Sequence, residues 1–156
     1  MDEKQGYAYI AANKGVAILT GTALLDTKEG VGSTIAVATD PRSGYAYVAG
    51  KGPEGNIFFL RGTTLLTKQV SLGSNVREIV PFTQTGYVYV ALPEADTVSI
   101  LSGTAFVTDV VVGARPLSIA PNPFDGRVYV ANSGDNTVSV IAMQIGRASC
   151  RERVCV

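Results

Sequence analysis

The sequence predicts an all-β fold, a β-propeller of about three and a half four-stranded blades. The first observation is a hexapeptide written four times, as GYAYIA, GYAYVA, GYVYVA and GRVYVA, whose glycines lie 38, 42 and 40 residues apart. The second is a heptapeptide that keeps phase with it, as GTALLDT, GTTLLTK and GTAFVTD, and recurs every 41 residues. In-phase repeats of about 40 residues are typical of propeller blades. The blade repeats therefore start near residues 6, 44, 86 and 126.

Each repeat contains four short strands, and the third repeat shows them best. Its strands are predicted at REIVPF (77–82), YVYVAL (87–92), TVSILS (97–102) and AFVTDVVV (105–112). In the second of these, tyrosines point to one side and valines to the other, because side chains alternate along a strand. Both faces of the strand are apolar, so a neighbouring sheet has to cover each of them.

The glycine that opens each hexapeptide has a mechanical reason to recur. It stands in the turn between the first and second strands, where the chain reverses and a positive φ is favourable. We therefore expect Gly86 and Gly126 to adopt positive φ. The acids Asp40, Asp96, Asp125 and Asp135 also fall at predicted turns, where an aspartate caps main-chain N–H groups; a cation site is the alternative.

The tyrosines recur in phase with the second strand. They are Tyr7, Tyr9, Tyr45, Tyr47, Tyr87, Tyr89 and Tyr129. We interpret them as core residues that pack one blade on the next, with an aromatic platform for a ligand as the alternative.

Composition limits the classes of function. Apolar residues make up 46% of the 156 and charged residues 17%, enough to build one well-packed domain. Thirteen basic and thirteen acidic residues leave no net charge and no basic run, which argues against a nucleic-acid partner. No apolar stretch reaches the roughly 18 to 20 residues that span a bilayer.

Motifs of catalytic chemistry are missing from the sequence. The chain has no histidine, which disfavours haem or copper propellers and histidine-assisted hydrolases. It has no G-x-S-x-G elbow, no phosphate-binding loop and no clustered carboxylates. The sequence therefore predicts no catalytic residue, no metal ligand and no cofactor.

The connection from a fourth strand to the next first strand is the best place for a binding site, since it lies at the mouth of a propeller channel. Asn75, Arg77, Glu78 and Arg115 stand in two such connections. They form either an internal ion pair or solvated rim, or a channel-mouth site for an anionic or sugar-like ligand.

The fourth repeat carries GRVYVANSGDNTVSVI (126–141), preceded by VGARPLSIAPNPFDG (112–126). This pattern resembles the YVTN-type (YncE-like) β-propeller repeat, and the resemblance covers residues 6 to 142, with the first two units degraded. It implies that the chain is part of a larger, seven-bladed propeller. It also implies an exported bacterial or archaeal protein, extracellular, periplasmic or on the cell surface.

The chain divides into a partial propeller over residues 1–144 and a tail over 145–156. The propeller part begins on a second strand and ends after a third, so the remaining blades of the same propeller are expected partners. The tail IGRASCRERVCV resembles one reading frame of a sequencing adapter. We expect it to be non-native and to fit no blade, so that its deletion leaves the melting temperature unchanged. Its two cysteines match no metal-site spacing.

Two functions follow from these observations and from the resemblance. The first is a non-enzymatic module that binds a protein or a small polar ligand at the propeller face. The second is a hydrolase that acts on sugar lactones, because propeller lactonases have a similar repeat and place arginine and glutamate in the channel.

Overall fold

A computed structural model describes residues 6–144 and 147–155, and the described chain consists of strands and turns. The first sheet contains β1 (Tyr7–Ala12), β2 (Gly15–Thr20) and β3 (Ala23–Lys28). The second contains β4 (Thr34–Asp40), β5 (Tyr45–Gly50), β6 (Asn56–Arg61) and β7 (Thr64–Ser71). The third contains β8 (Glu78–Phe82), β9 (Tyr87–Leu92), β10 (Thr97–Ser102) and β11 (Ala105–Val111). The fourth contains β12 (Pro116–Pro121), β13 (Arg127–Asn132), β14 (Thr137–Gln144) and β15 (Arg147–Cys155).

Every sheet is an antiparallel meander in which strands adjacent in sequence pair with each other. The first strands β4, β8 and β12 each lie at one edge of their sheet. β8 contacts both β4 and β12, and β4 also contacts β1. Successive sheets are therefore arranged around a common axis, like the blades of a propeller. The predicted fold class is confirmed. Among the described residues, no helix is long and apolar enough to cross a membrane.

An apolar cluster fills each of the three spaces between successive sheets. Tyr9, Ile18 and Val48 belong to the first cluster. Tyr47 belongs to the second and Tyr89 to the third, and both side chains are fully buried. The prediction that these tyrosines pack blade on blade is confirmed.

The glycines of the hexapeptide adopt the positive φ that was predicted. Gly86 has φ 73° and Gly126 has φ 70°. The N–H of Gly86 donates to the carbonyl of Phe82 at 2.9 Å, which closes the turn between the first and second strands. A side chain at this φ would be strained, so the recurrence of glycine follows from the turn geometry.

The tail departs from expectation. Residues 147–155 form β15, which pairs antiparallel with β14 and occupies the fourth-strand position of the last blade. The prediction that the tail fits no blade was wrong, because the free edge of β14 offers main-chain groups that almost any extended segment can pair with. Its non-native origin stays a prediction. Residues 145, 146 and 156 and the side chains of both cysteines lie outside the described residues.

Polar side chains also join successive blades. The hydroxyl of Tyr9 donates to the carbonyl of Gly62 in the next blade, 2.9 Å away. Arg42 Nη1 donates to the carbonyls of Thr83 and Gln84, at 3.2 and 3.1 Å. These bonds satisfy main-chain carbonyls in turns and fix the position of each blade against its neighbour.

Candidate functional site

The four candidate residues lie on one end of the blades. Antiparallel strands alternate in direction, so the connections between blades and the turns between second and third strands share that end. We call it the connection face. The connections are residues 29–33, 72–77 and 112–115, and the turns are residues 13–14, 51–55, 93–96 and 133–136.

Arg77 is the last residue of the connection 72–77, directly before β8, the first strand of the third blade. Its main-chain N–H donates to the carbonyl of Ala91 at 2.9 Å, while Glu78 is the register partner of Ala91. The first strands of the flanking blades bulge at Ile35 and Leu117, which are 42% and 37% exposed. A bulge directs the extra side chain out of the ladder. Arg77 is thus an exposed cation where the neighbouring blades present apolar side chains.

Glu78 is half-buried and bonds to the next blade. Its Oε2 accepts a hydrogen bond from the main-chain N–H of Ile119 at 2.6 Å. The register equivalents in the flanking blades are Ala36 and Ser118, which pair with alanines as Glu78 does. Among the three blades whose first strand the structure describes, the third alone has a carboxylate at this position, and one of its oxygens accepts a hydrogen bond within the fold.

Asn75 and Arg115 are held by neighbouring turns. Asn75 Nδ2 lies 2.9 Å from both carboxylate oxygens of Glu94. Arg115 has φ 53°, and its main-chain N–H donates to Asp96 Oδ1 at 2.8 Å. Within the described part of the chain, the hydrogen bonds and the ion pair connect none of the four candidates to another. The connection face thus places them on one surface without joining them.

The aspartates at turns have two roles, and the sequence predicted only the capping of their own turns. Asp40 and Asp125 cap their own turns, and the N–H of Arg127, the main cause, lowers the pKa of Asp125. Asp96 and Asp135 instead accept main-chain N–H groups of the connection 112–115, each about 19 to 21 residues away in sequence. They hold that connection in place. Among residues 6–144 and 147–155, no group of three or more potential metal ligands is found.

Sequence reasoning missed a cavity of about 220 Å³ beside the turn 51–55 of the second blade, next to the connection 29–33. Its lining includes Val31, Gly50, Lys51 and Phe58. Gly50 is the last residue of the second strand of its blade. The equivalent residue of the third blade is Leu92, which is 1% exposed and part of the core. A Cβ added at Gly50 would lie 3.1 Å from the Phe58 ring, so the glycine allows that ring to pack close to the strand. An alignment of the repeats gives no clear signal for the cavity, because the equivalent residues Ala12, Leu92 and Asn132 differ in size.

Comparisons with known proteins find a shared fold. No protein-family model matches the chain, and a search of curated proteins found no match. A protein of unknown function from Desulfotomaculum acetoxidans has a TM-score of 0.78 at 14% identity over 96% of this chain. The periplasmic gluconolactonase PpgL of Pseudomonas aeruginosa has 0.76 at 15% over 99%. A 6-phosphogluconolactonase candidate from Bacteroides uniformis has 0.77 at 12% over 100%.

This chain spans about half the length of those structures, 52%, 52% and 53% respectively. At such identities the likeness establishes the propeller fold alone. It carries no activity over to this chain, because one fold supports many functions. The narrower resemblance to the YVTN-type repeat stays a prediction from the sequence.

Proposed function

We propose that the protein is a non-enzymatic β-propeller module that binds a small anionic or sugar-like ligand at its connection face. The observation that carries the proposal is Arg77, an exposed residue of the connection directly before an inner strand, with no ion pair among the described residues. A guanidinium recognises a carboxylate or phosphate through two parallel hydrogen bonds.

The surroundings of Arg77 support binding because they are already ordered. Glu78 is fixed by Ile119, and Asn75 contacts Glu94 in the turn beside it. Arg115 is fixed through its main chain by Asp96. Residues held by such contacts lose little conformational freedom when a ligand binds, which favours affinity.

Calorimetric titration with gluconate, a sugar acid, tests the proposal. Arg77→Ala should weaken binding at least about tenfold, the usual effect of losing a charged hydrogen-bonding partner. Arg77→Lys keeps the charge but loses the two-pronged geometry, so its effect should be smaller. The matched control is Arg127→Ala, an exposed arginine at the opposite end of its blade. Equal binding by wild type and Arg77→Ala, or no binding at millimolar ligand, would contradict the proposal.

A lactonase is the second candidate, favoured because Arg77 and Glu78 are adjacent where an inner strand begins and because two similar structures are gluconolactonase-like. The Glu78 oxygen that does not bond Ile119 would serve as a general base toward water. Hydrolysis of glucono-1,5-lactone in a pH-stat decides between the candidates. A rate above the uncatalysed background that falls in both Arg77→Ala and Glu78→Gln would replace the binding proposal.

We also propose that the chain belongs to an exported, larger propeller with seven blades. Support comes from the repeat resemblance and from the length of the similar structures, one of which is named as periplasmic. Recovering the complete open reading frame tests both points. A leader peptide and about three further repeats are expected, and their absence would contradict the proposal.

A further inference from the structure

A polar cavity lies between the second and third blades, at the end of the blades opposite the connection face. Its volume is about 330 Å³, within the roughly 300–1,000 Å³ of typical small-molecule sites. Two glycines and five polar side chains line it, and the side chains are those of Asp40, Arg42, Ser43, Thr85 and Ser102. Both blades are complete four-stranded sheets and follow each other in the chain, so the cavity does not depend on blades before or after them.

The guanidinium of Arg42 is anchored on the third blade and keeps donors free. Its Nη1 donates to the carbonyls of Thr83 and Gln84, at 3.2 and 3.1 Å. These are the hydrogen bonds that the guanidinium makes to residues 6–144 and 147–155, so Nε and Nη2 keep their N–H groups for a ligand. An arginine that is already fixed in place loses little side-chain freedom when a ligand binds.

The carboxylate of Asp40 is buried and, within the described part of the chain, forms no ion pair. The residue is 3% exposed. Its Oδ1 accepts the main-chain N–H of Arg42 at 3.0 Å, and its Oδ2 accepts that of Ser43 at 3.3 Å. Each oxygen can accept a second hydrogen bond, because a carboxylate has about four acceptor positions. The cavity thus has a fixed acceptor as well as a fixed donor.

The next boundary, between the third and fourth blades, shows that the fold does not require these charges. Phe82 is the register equivalent of Asp40, and Gln84 that of Arg42, because both turns end at the glycine that precedes the second strand. The third blade forms this turn with an apolar and an uncharged residue. The carboxylate and the guanidinium are therefore a feature of the cavity rather than of the turn.

We propose that this cavity binds a neutral sugar, at a site separate from that of Arg77. A carboxylate only accepts hydrogen bonds, a guanidinium only donates them, and a hydroxyl does either. One sugar hydroxyl can therefore donate to Asp40 while a neighbouring one accepts from Arg42, with the exposed Ser102 as a further partner. The charges of Asp40 and Arg42 cancel, so the lining favours a ligand without net charge. The polar lining disfavours an apolar ligand.

Titration of the whole 156-residue chain with glucose, galactose and mannose, followed by backbone amide chemical shifts, tests the proposal. At least one sugar is expected to bind saturably at millimolar concentration, with shift changes concentrated in the turns 41–44, 83–86 and 103–104. Arg42→Ala should weaken this binding at least about tenfold. The control Phe124→Ala changes the equivalent position of the fourth blade, which is 98% exposed, and should leave binding unchanged.

Ser102→Leu is a second variant, because it leaves the hydrogen bonds between the two blades intact. Ser102 is exposed, so the variant should fold, and its larger side chain should block the sugar. Thermal melts check that both variants are folded. The inference would be overturned by the absence of saturable binding, by shift changes confined to the connection face, or by unchanged binding in both variants. Tighter binding of free glycine, a zwitterion, than of any sugar would also overturn it.

Discussion

The carboxylate of Glu78 accepts the main-chain N–H of Ile119 at 2.6 Å, across the boundary between the third and fourth blades. Ile119 lies on β12, which pairs with β13 on one side and has a free edge on the other. Main-chain N–H groups on a free edge need water or a side-chain acceptor. Glu78 supplies that acceptor and so joins the inner strands of two blades.

Glu78→Ala should lower the free energy of unfolding by about 1–3 kcal/mol, because the half-buried N–H of Ile119 loses its acceptor. Glu78→Gln keeps a carbonyl oxygen there and should cost less. Urea denaturation measures both, and Glu29→Ala, an exposed glutamate in a connection, is the control. A loss no larger than that of the control would show that the bond contributes nothing to stability.

The two fully buried tyrosines predict a pH dependence at high pH. Burial raises the pKa of Tyr47 and of Tyr89 from 10.0 to about 12. Since the folded state resists ionisation more than the unfolded state, stability is retained below pH 10 and falls as pH rises toward 12. The expected loss is about 1–2 kcal/mol per tyrosine. Urea midpoints measured from about pH 9 to about pH 11, one unit either side of the pKa of tyrosine in the unfolded chain, give this loss of stability.

The double variant Tyr47→Phe/Tyr89→Phe should flatten this part of the pH profile. Within the part of the chain that the structure describes, no group completes a well-formed hydrogen bond with either hydroxyl, although Ser43 lies beside Tyr47 and Thr85 beside Tyr89, so the variant should lose little stability at neutral pH. Tyr7→Phe, at a half-buried position, serves as the control. A profile of the double variant as steep as that of wild type would assign the alkaline loss to other groups.

Gly86→Val should destabilise the protein by more than about 1 kcal/mol, because a β-branched residue is strained at φ 73°. The strain is in the backbone, since the nearest atom to an added Cβ is Arg42 Nη1 at 3.6 Å. Thermal melting compares this variant with Gln84→Val, an exposed position in the same turn. Equal melting temperatures would mean that the turn relaxes without cost.

Removing residues 145–156 should lower the melting temperature by several degrees, in contrast to the expectation from sequence. The deletion removes β15 and leaves the main-chain groups along one edge of β14 unpaired. Calorimetry of the shortened and complete chains measures the difference. An unchanged midpoint would support the view that the tail is foreign to the fold.

The blade architecture could be read from the sequence because local rules determine it. Gly86 recurs for its turn and Tyr89 for its packing, and both signals lie within six residues. The bond from Glu78 to Ile119 could not be predicted, since it depends on how two blades are placed in space. β15 was missed for a related reason: its pairing follows from the open edge of β14 rather than from its own side-chain pattern.

The polar links between blades each join one sheet to the next, as Tyr9 to Gly62, Arg42 to Thr83 and Glu78 to Ile119. The free energy of unfolding of one blade then depends on the blades next to it, as in a one-dimensional chain of coupled elements. Amide hydrogens of β5 and β9, which have a sheet on both sides, should exchange most slowly with solvent, and those of β1 faster. A substitution in one blade should change the exchange rates in its two neighbouring blades and have little effect on blades further away.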